Sequence, residues 1–183
     1  MSVYKIALIV GSSRKESINQ LLGLALTKMA PSSLSFELIN IADLPMYHGD
    51  LEGDRPAEIN RFTAEVAACQ GVLIITPEYN RSLPAVLKNA IDWGSKPAAN
   101  NVWKDKPTCI TGTTPGAIGT AVAQQHLRQI LGIVGATVMG GEAYITFKPN
   151  LIDKEGHVTD ATTHEFLSNY INRFATLVEK LAV

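Results

Sequence analysis

Short apolar runs rich in β-branched residues alternate along this chain with longer segments whose apolar residues recur at helical spacing. That alternation predicts an α/β fold in which helices cover both faces of a parallel sheet. The predicted strands are 3–10, 34–41, 71–76, 107–111 and a short fifth at 137–139. The predicted helices are 18–30, 57–68, 83–93, 119–134 and 161–181.

Two serines are predicted to cap helices. Ser17 and Gln20 have the spacing of a capping box, in which each side chain binds a backbone N–H group of the first turn. Ser82 precedes the third predicted helix, where Pro84 is tolerated in the first turn. Residues 146–165 begin without periodicity, so we expect a surface excursion before the last helix.

Length, charge and cysteine content restrict what the protein can be. The 183 residues, 46% of them hydrophobic, suit one domain spanning 1–183. A formal net charge of −1 provides no basic field for binding nucleic acid or an anionic membrane. Cys69 and Cys109 lie in apolar stretches without a CxxC motif or a histidine at metal-ligand spacing, which indicates small buried residues in a reducing compartment and no metal site. The N-terminal apolar run is too short for a signal sequence or a membrane span, so we expect a cytoplasmic protein.

Three loops after predicted strands carry the candidate chemistry. In doubly wound α/β sheets, ligands bind outside the carboxyl ends of the strands where the strand order reverses. The loops after the first, third and fourth strands are "GSSRKES", "PEYNRSLP" and "GTTPGAIGT", all rich in glycine, proline and hydroxyl residues. Two windings of such a sheet are common, and both bring these loops toward one site.

The first loop, with the residues that follow it, reads "GSSRKESIN" (residues 11–19) and has the composition of a phosphate site. It lacks both GxGxxG and GxxxxGK[ST], so it supports neither a dinucleotide fingerprint nor a P-loop. Its hydroxyl groups, the guanidinium of Arg14 and the following helix N-terminus are typical phosphate ligands. The alternative is that the serines only cap the helix and Arg14 is solvated.

The other two loops suit a flat heterocycle. Residues 77–84 place Glu78, Tyr79 and an asparagine between two prolines that stiffen the backbone, although an ordinary turn with a Glu78–Arg81 ion pair explains the same residues. The third loop combines hydroxyls of Thr113 and Thr114 with glycines at 112, 116 and 119 that permit close backbone approach or simply a tight turn.

These segments resemble the NAD(P)H-dependent FMN reductases of flavodoxin-like fold, in particular the bacterial quinone and chromate reductases. The resemblance rests on "GSSRKESIN", on "TPEYNRSLPAVLKNAIDW" (76–93), on "PGAIG" and on "HLRQIL" (126–131), and it extends over nearly the whole chain. It implies a flavodoxin-like doubly wound sandwich whose five-stranded parallel sheet has the order 2-1-3-4-5. The chain departs from many relatives at Ser13, where a leucine or other bulky residue is usual.

The family implies noncovalent FMN, with its phosphate in the first loop and its ring along the second. Donors from the third loop would face the ring near N1 and the C2 oxygen. By that resemblance the cofactor-binding residues are Ser12, Arg14, Ser17, Ile18 and Asn19 for the phosphate, Pro77, Glu78, Tyr79, Asn80 and Arg81 for the ring, and Thr114 and Gly116 for its far side.

The implied activity is hydride transfer from NAD(P)H through FMN to quinones, or to chromate, azo or nitro compounds, by a ping-pong mechanism. No carboxylate pair, Ser/His/Asp set or metal cluster is evident in the sequence, which agrees with chemistry performed by a flavin and with no catalytic side chain. Residues 44–53 are either a rim over the acceptor site, with Tyr47 against the ring, or a plain connection.

Alternative interpretations are an FMN reductase that supplies reduced flavin to a monooxygenase, a flavodoxin-like electron carrier, and a nucleotide-binding module without redox chemistry. Electron carriers are usually strongly acidic, which the net charge of −1 disfavours. The family also implies a homodimer or homotetramer with contacts through the helices after the third and fourth strands. The net charge of −1 predicts no nucleic-acid or membrane partner.

Overall fold

A computed structural model of the chain describes residues 2–181, so residues 1, 182 and 183 of the predicted domain lie outside the described residues. The strands are β1 (Tyr4–Val10), β2 (Leu34–Leu38), β3 (Gly71–Ile75), β4 (Pro107–Thr114), β5 (Thr137–Val138) and β6 (Tyr144–Thr146). The helices are α1 (Ile18–Met29), α2 (Ala57–Ala67), α3 (Ala85–Gly94), α4 (Ala121–Ile133) and α5 (Ala161–Leu181), with short 3₁₀ turns at Gly49–Leu51 and Ala98–Asn100. All ten predicted elements are present, but β2 ends three residues early and β4 continues three residues further.

The sheet has the predicted strand order, β2-β1-β3-β4-β5, and neighbouring strands are parallel. The flavodoxin-like winding is therefore confirmed. Because β1 lies between β2 and β3, the order reverses at β1, and the loops after β1, β3 and β4 meet at the same edge of the sheet.

A sixth strand, which the sequence pattern did not reveal, completes the edge beside β4. Strand β5 pairs with the first part of β4, at Pro107 and Thr108, and β6 pairs with its end, from Gly112 to Thr114. The break between β5 and β6 is held by two guanidinium groups. Arg128 donates to the carbonyls of Met139 and Gly141, and Arg173 donates to the carbonyl of Gly140.

Each face of the sheet packs against its own set of helices. Side chains of β1 and β3 alternate between the two faces, as strand geometry requires. One face is covered by α1 and α5 and the other by α2, α3 and α4. None of the helices within residues 2–181 is both long enough and apolar enough to span a membrane.

The prediction for the two cysteines is confirmed, whereas the prediction for the segment after β6 is wrong. Cys69 and Cys109 are buried free thiols, as predicted. The segment after β6 is more than a surface excursion, because Leu151 and Ile152 are buried in the core under α1 and α5. An isolated bridge between Ile152 and Val158 closes this segment into a loop.

Candidate functional site

The loops after β1, β3 and β4 enclose a cleft with a volume of about 160 Å³ at the predicted edge of the sheet. The first loop is fixed to the end of β3 by the bond from Gly11 N to the carbonyl of Ile75 (2.8 Å), and β3 is fixed to β4 by Thr76 N and the carbonyl of Thr111 (2.9 Å). Nine of the twelve predicted site residues line the cleft, namely Ser12, Arg14, Ser17, Ile18, Asn19, Pro77, Glu78, Tyr79 and Thr114. Asn80, Arg81 and Gly116 do not line it, whereas Thr113 and Pro115, which were not among the twelve, do.

The first loop delivers the N-terminus of α1 to the cleft. Ser17 is the N-cap, and its Oγ accepts hydrogen bonds from the N–H groups of Asn19 (3.2 Å) and Gln20 (3.4 Å). The reciprocal half of the predicted capping box is wrong, because the Gln20 amide is directed to the carbonyl of Ser12 (3.5 Å). Arg14 is exposed, and within residues 2–181 it forms no ion pair.

Asn19 fastens α1 to the end of β4. Its Nδ2 donates to the carbonyl of Thr113 (3.0 Å), and its Oδ1 accepts from the N–H of Thr113 (2.9 Å). The Asn19 side chain is almost fully buried. Its amide therefore spans the two walls of the cleft, and only the second Nδ2 proton remains for a ligand.

The second loop forms a tight two-residue turn. Tyr79 and Ser82 exchange backbone hydrogen bonds, and the two residues between them, Asn80 and Arg81, have positive φ angles of 51° and 65°. Those angles are typical of the hairpin turn in which both central residues are left-handed. Asn80 and Arg81 consequently form the tip of the turn, beyond the cleft, and Tyr79 stands at its mouth with 49% of its surface exposed.

Ser82 does not cap α3, so that prediction is wrong. The helix begins at Ala85 after Pro84, without a side-chain cap. Because Ser82 belongs to the turn, its hydroxyl lies instead 3.1 Å from Nδ1 of His126 on α4.

Glu78 acts as a cap for a helix distant in sequence. Its Oε2 accepts from the N–H groups of Val122 (3.0 Å) and Ala123 (3.1 Å), in the first turn of α4. The residue that precedes this helix, Thr120, is left-handed and provides no side-chain cap. The other oxygen of Glu78 pairs with Arg81 at 3.2 Å, as the ordinary-turn interpretation expected. The carboxylate is thus engaged by the protein, which leaves the backbone of Glu78 for the predicted contact with a ring.

Close packing explains two glycines of the third loop. A Cβ on Gly112 would lie 1.9 Å from the carbonyl oxygen of Thr76, and Gly119 has a φ of 54° with its would-be Cβ 2.6 Å from Tyr144. Gly116 has no such restriction, since its nearest neighbour would lie at 3.7 Å. Glycine at 112 therefore permits β3 and β4 to approach at the floor of the cleft.

Several donors of the third loop are already used. The hydroxyl of Thr113 donates to the carbonyl of Ile145 (2.8 Å), its N–H is bound to Asn19, and the N–H of Gly116 donates to Oγ1 of Thr114 (3.3 Å). The hydrogen bonds that this loop was expected to donate to a ring cannot come from these three groups, because each already has a partner within the protein. Thr113, whose hydroxyl was a candidate from the sequence, lines the cleft, but that hydroxyl is bound to β6.

The 44–53 segment lies against α3 rather than lining the cleft. Tyr47 packs edge-on against Trp93 with ring centroids 5.1 Å apart, and its N–H donates to Oδ1 of Asn89 (2.7 Å). Its hydroxyl bonds to Glu52, and this bond together with burial raises the pKa of Tyr47. These contacts favour the interpretation of the segment as a structural connection.

Comparison with known proteins places this chain in a family. The sequence model of the family described as NADPH-dependent FMN reductase matches residues 4–149. A 2-hydroxy-1,4-benzoquinone reductase from a Burkholderia species is 43% identical over 175 residues, which cover 95% of this chain and 96% of that protein. A quinone reductase from Pseudomonas putida is 42% identical over 179 residues, covering 97% of this chain and 96% of that protein.

A solved structure agrees with these relatives over the whole fold. The flavoenzyme NAD(P)H:(acceptor) oxidoreductase from Paracoccus denitrificans superposes with a TM-score of 0.95 at 42% identity, covering 99% of this chain and 100% of that chain. Since the family model covers well over half of the chain and these relatives match nearly all of it, the chain belongs to the NADPH-dependent FMN reductase family and is an oxidoreductase that uses FMN and NAD(P)H.

Proposed function

We propose that this protein is a quinone reductase that holds FMN noncovalently in the three-loop cleft and draws electrons from NAD(P)H. The observation that carries the proposal is the near full-length identity of 42–43% to two quinone reductases, one of them specific by name for 2-hydroxy-1,4-benzoquinone. The cleft supports the proposal, because nine of the twelve residues predicted from the sequence to bind FMN line one cavity, at the point where the strand order reverses.

The donor set on the α1 side fits a phosphate dianion. The N–H groups of Asn19 and Gln20 already donate to Ser17 Oγ, so we assign the N–H of Ile18 to the phosphate, and the helix dipole there favours negative charge. Ser12 and Ser17 add hydroxyl protons, and Arg14 adds a guanidinium that is not neutralised within residues 2–181. Glu78, the one carboxylate among the eleven lining residues, is engaged by the N–H groups of α4 and by Arg81. We therefore assign the phosphate to Ser12, Arg14, Ser17 and Ile18, with Asn19 as the brace behind them.

The opposite side of the cleft suits the ring. Pro77, Tyr79 and the backbone of Glu78 form one wall, and Thr114 and Pro115 form the other. The bond between Thr76 Oγ1 and the carbonyl of Pro77 (2.8 Å) and the turn at Tyr79–Ser82 hold the first wall rigid. A rigid wall orients a bound ring, and orientation is what the protein contributes when a cofactor performs the chemistry. Asn80 and Arg81 are assigned to the margin of the first wall, and Gly116 is assigned to the margin of the other.

When bound, FMN accepts a hydride from NAD(P)H and passes it to an acceptor. We infer that the nucleotide and the acceptor occupy the mouth of the cleft beside Tyr79 in turn, which gives ping-pong kinetics. The partly exposed Tyr79 ring presents a flat apolar surface there, with no dedicated recognition of one acceptor. Chromate, azo and nitro compounds are accordingly proposed as secondary acceptors.

The absorbance of the purified protein tests the cofactor assignment. Protein with bound FMN is yellow, with a flavin band near roughly 450 nm, and the band bleaches when NADPH or NADH is added without oxygen. A colourless preparation that takes up no added FMN would contradict the proposal.

Arg14→Ala tests the phosphate assignment. A lost charge-assisted hydrogen bond is worth about 1.5–3 kcal/mol, so the Kd for FMN should rise roughly 10- to 100-fold. Lys15→Ala is the matched control, because Lys15 is an adjacent exposed cation that does not line the cleft. Equal FMN affinity in the Arg14 variant and the wild-type protein would refute the assignment.

Steady-state kinetics test the acceptor and the mechanism. With a benzoquinone as the varied acceptor at several NADPH concentrations, parallel double-reciprocal lines are expected, and chromate, an azo dye and a nitroaromatic should react more slowly. Intersecting lines would exclude the ping-pong order. FMN released in each turnover, seen as flavin passing an ultrafiltration membrane during catalysis, would instead indicate supply of reduced flavin to a second enzyme.

We also propose that the protein is a homodimer or homotetramer with α3 and α4 at the subunit contacts. The support is the apolar surface that α4 and the loop before it leave exposed, where Ile118 and Ile133 are 39% and 86% accessible. Light scattering after gel filtration measures the mass directly. Ile133→Asp should shift the protein toward the monomer of 19.7 kDa, and a wild-type protein already of that mass would contradict the proposal.

A further inference from the structure

A second cavity lies on the other side of the first loop from the cleft. It has a volume of about 320 Å³ and lies at the carboxyl ends of β1 and β2, next to the start of α3. We name it the β2 groove; its lining residues include Val10, Leu38, Ile39, Ile41 and Val86. Ser12 lines both the β2 groove and the cleft, so the two cavities adjoin across the first loop.

The β2 groove has the surface that a purine ring requires. Leu38 is 67% exposed, although it is a large aliphatic side chain, and the neighbouring Ile39 and Ile41 are almost fully buried. Pockets for small ligands combine apolar walls of this kind with a few polar groups that fix orientation. The exposed side chain of Leu38, supported by the buried isoleucines, therefore offers apolar surface against which a heterocycle can pack.

The polar groups of the β2 groove are all neutral. They are the hydroxyls of Ser12 and Ser13 and the amides of Gln20 and Asn40, and none of the ten lining residues carries a charge. Dinucleotide-binding folds place an acidic residue after the second strand to bind the ribose and to disfavour a 2′-phosphate. Here Asn40 takes that place, and its Oδ1 accepts from the N–H of Ala42 (3.1 Å). A neutral groove repels neither the diphosphate bridge nor a 2′-phosphate.

The β2 groove lies too far from the proposed ring site to hold the reacting group of a ligand. Electron transfer takes place at the ring, which the proposed function assigns to the space between the loops after β3 and β4, whereas the groove lies beyond the first loop. Adjacent strands are about 4.8 Å apart, so β2 and β3 are separated by roughly 10 Å. A ligand that uses both cavities needs a reactive head and a tail that reaches across this distance, as a dinucleotide does.

We propose that the β2 groove receives the adenosine half of NAD(P)H while the nicotinamide lies at the mouth of the cleft, an inference that rests on the proposed function. The structure accommodates NADH and NADPH alike in this groove, since no side chain of its lining selects for or against the 2′-phosphate. Leu38 and Ala42 then determine affinity for the whole nucleotide but not for a nicotinamide that lacks adenosine.

The test compares NADPH with reduced nicotinamide mononucleotide, which carries the same reactive ring without adenosine. In the FMN-loaded protein, Ala42→Trp fills the groove and Leu38→Asp places a carboxylate in it. For both variants we expect the KM for NADPH to rise about tenfold or more, while kcat/KM for the mononucleotide stays within about twofold. Ala99→Trp and Val3→Asp are the matched controls, because both positions are exposed and lie outside both cavities. Their KM values for NADPH should equal that of the wild-type protein.

A binding measurement separates this inference from the activity. Adenosine 2′,5′-bisphosphate, titrated calorimetrically into FMN-loaded protein, should bind the wild type and both controls, and its affinity should fall about tenfold or more in Ala42→Trp and Leu38→Asp. The inference is overturned if the bisphosphate does not bind the wild type, or if the groove variants affect NADPH and the mononucleotide equally or not at all. Failure of the proposed function has a different signature, since the wild type would then bind no FMN or its flavin would be reduced by neither nucleotide.

Discussion

Asn19 and Thr113 exchange two hydrogen bonds between the first turn of α1 and the end of β4, with donor–acceptor distances of 3.0 and 2.9 Å. The two residues are 94 positions apart and belong to opposite walls of the cleft. A side-chain amide satisfies both the N–H and the carbonyl of a buried residue, so the site is fixed before any ligand binds.

Replacing Asn19 with leucine should destabilise the protein by about 2–4 kcal/mol. Leucine preserves the shape but leaves two buried backbone groups unsatisfied, each costing about 1–3 kcal/mol. Equilibrium unfolding in urea measures the change, and Asn172→Leu on the exposed face of α5 is the control, expected within about 0.5 kcal/mol of wild type. A loss below about 0.5 kcal/mol for Asn19→Leu would show that the two hydrogen bonds between Asn19 and Thr113 contribute little to stability.

Glu78→Ala should destabilise α4. The carboxylate accepts hydrogen bonds from two N–H groups at the positive end of that helix. Losing such a cap lowers the free energy of unfolding by about 1–2 kcal/mol. Glu78→Gln keeps an acceptor oxygen without the charge, so an intermediate loss is expected. Arg81→Ala removes only the exposed partner and should cost less than about 0.5 kcal/mol. Equal unfolding free energies for the alanine and glutamine variants would indicate that the acceptor oxygen is unimportant.

The same added methyl group should change the stability in opposite directions at two glycines. Gly112→Ala places a Cβ 1.9 Å from the carbonyl oxygen of Thr76, so β3 and β4 must separate, at a cost of about 3 kcal/mol or more. Gly132→Ala, in α4, meets nothing within 4 Å and should stabilise the protein by about 0.5–1 kcal/mol. Thermal melting of the two variants compares them directly. An unchanged Tm for Gly112→Ala would mean that the strands can separate without penalty.

Local signals were sufficient for the ten elements and for the three loops of the cleft, whereas the strand order and the individual cleft residues were implied by the family resemblance. Apolar periodicity gave ten elements, and the carboxyl ends of parallel strands bring their loops together wherever the order reverses. Contacts between distant segments were not evident in the sequence. The carboxylate of Glu78 caps a helix more than forty residues away, and β6 follows a break whose carbonyls are bound by Arg128 and Arg173. No spacing rule within either segment indicates such a partner.

Both cysteines should resist labelling in the native state. Both thiols are buried, and burial raises the pKa of Cys109 to about 12 and also raises that of Cys69, so access of a reagent and formation of the reactive thiolate are both disfavoured. A disulfide reagent such as DTNB should react with no thiol of the folded protein within minutes and with both after guanidinium is added. Ala99→Cys, at an exposed position, is the positive control. Rapid labelling of the folded wild type would contradict the burial of these side chains.

The acid dependence of stability should include a contribution from Asp160, which precedes α5. Its Oδ1 accepts from the hydroxyl (2.6 Å) and the N–H (2.7 Å) of Thr163, and these bonds hold the pKa of Asp160 below its usual value of 3.8. A carboxyl group whose pKa is lower in the folded state stabilises the fold above the unfolded pKa and loses that contribution as pH falls through the folded value.

Comparing the wild type with Asp160→Asn isolates that contribution, because asparagine also caps helices but does not titrate. The difference in urea midpoint between the two proteins should be constant from pH 7 to about pH 4 and should then decrease toward about pH 2, since only the wild type must take up a proton at this position. A wild-type advantage that persisted unchanged to about pH 2 would mean that the carboxylate is not the charged acceptor for Thr163.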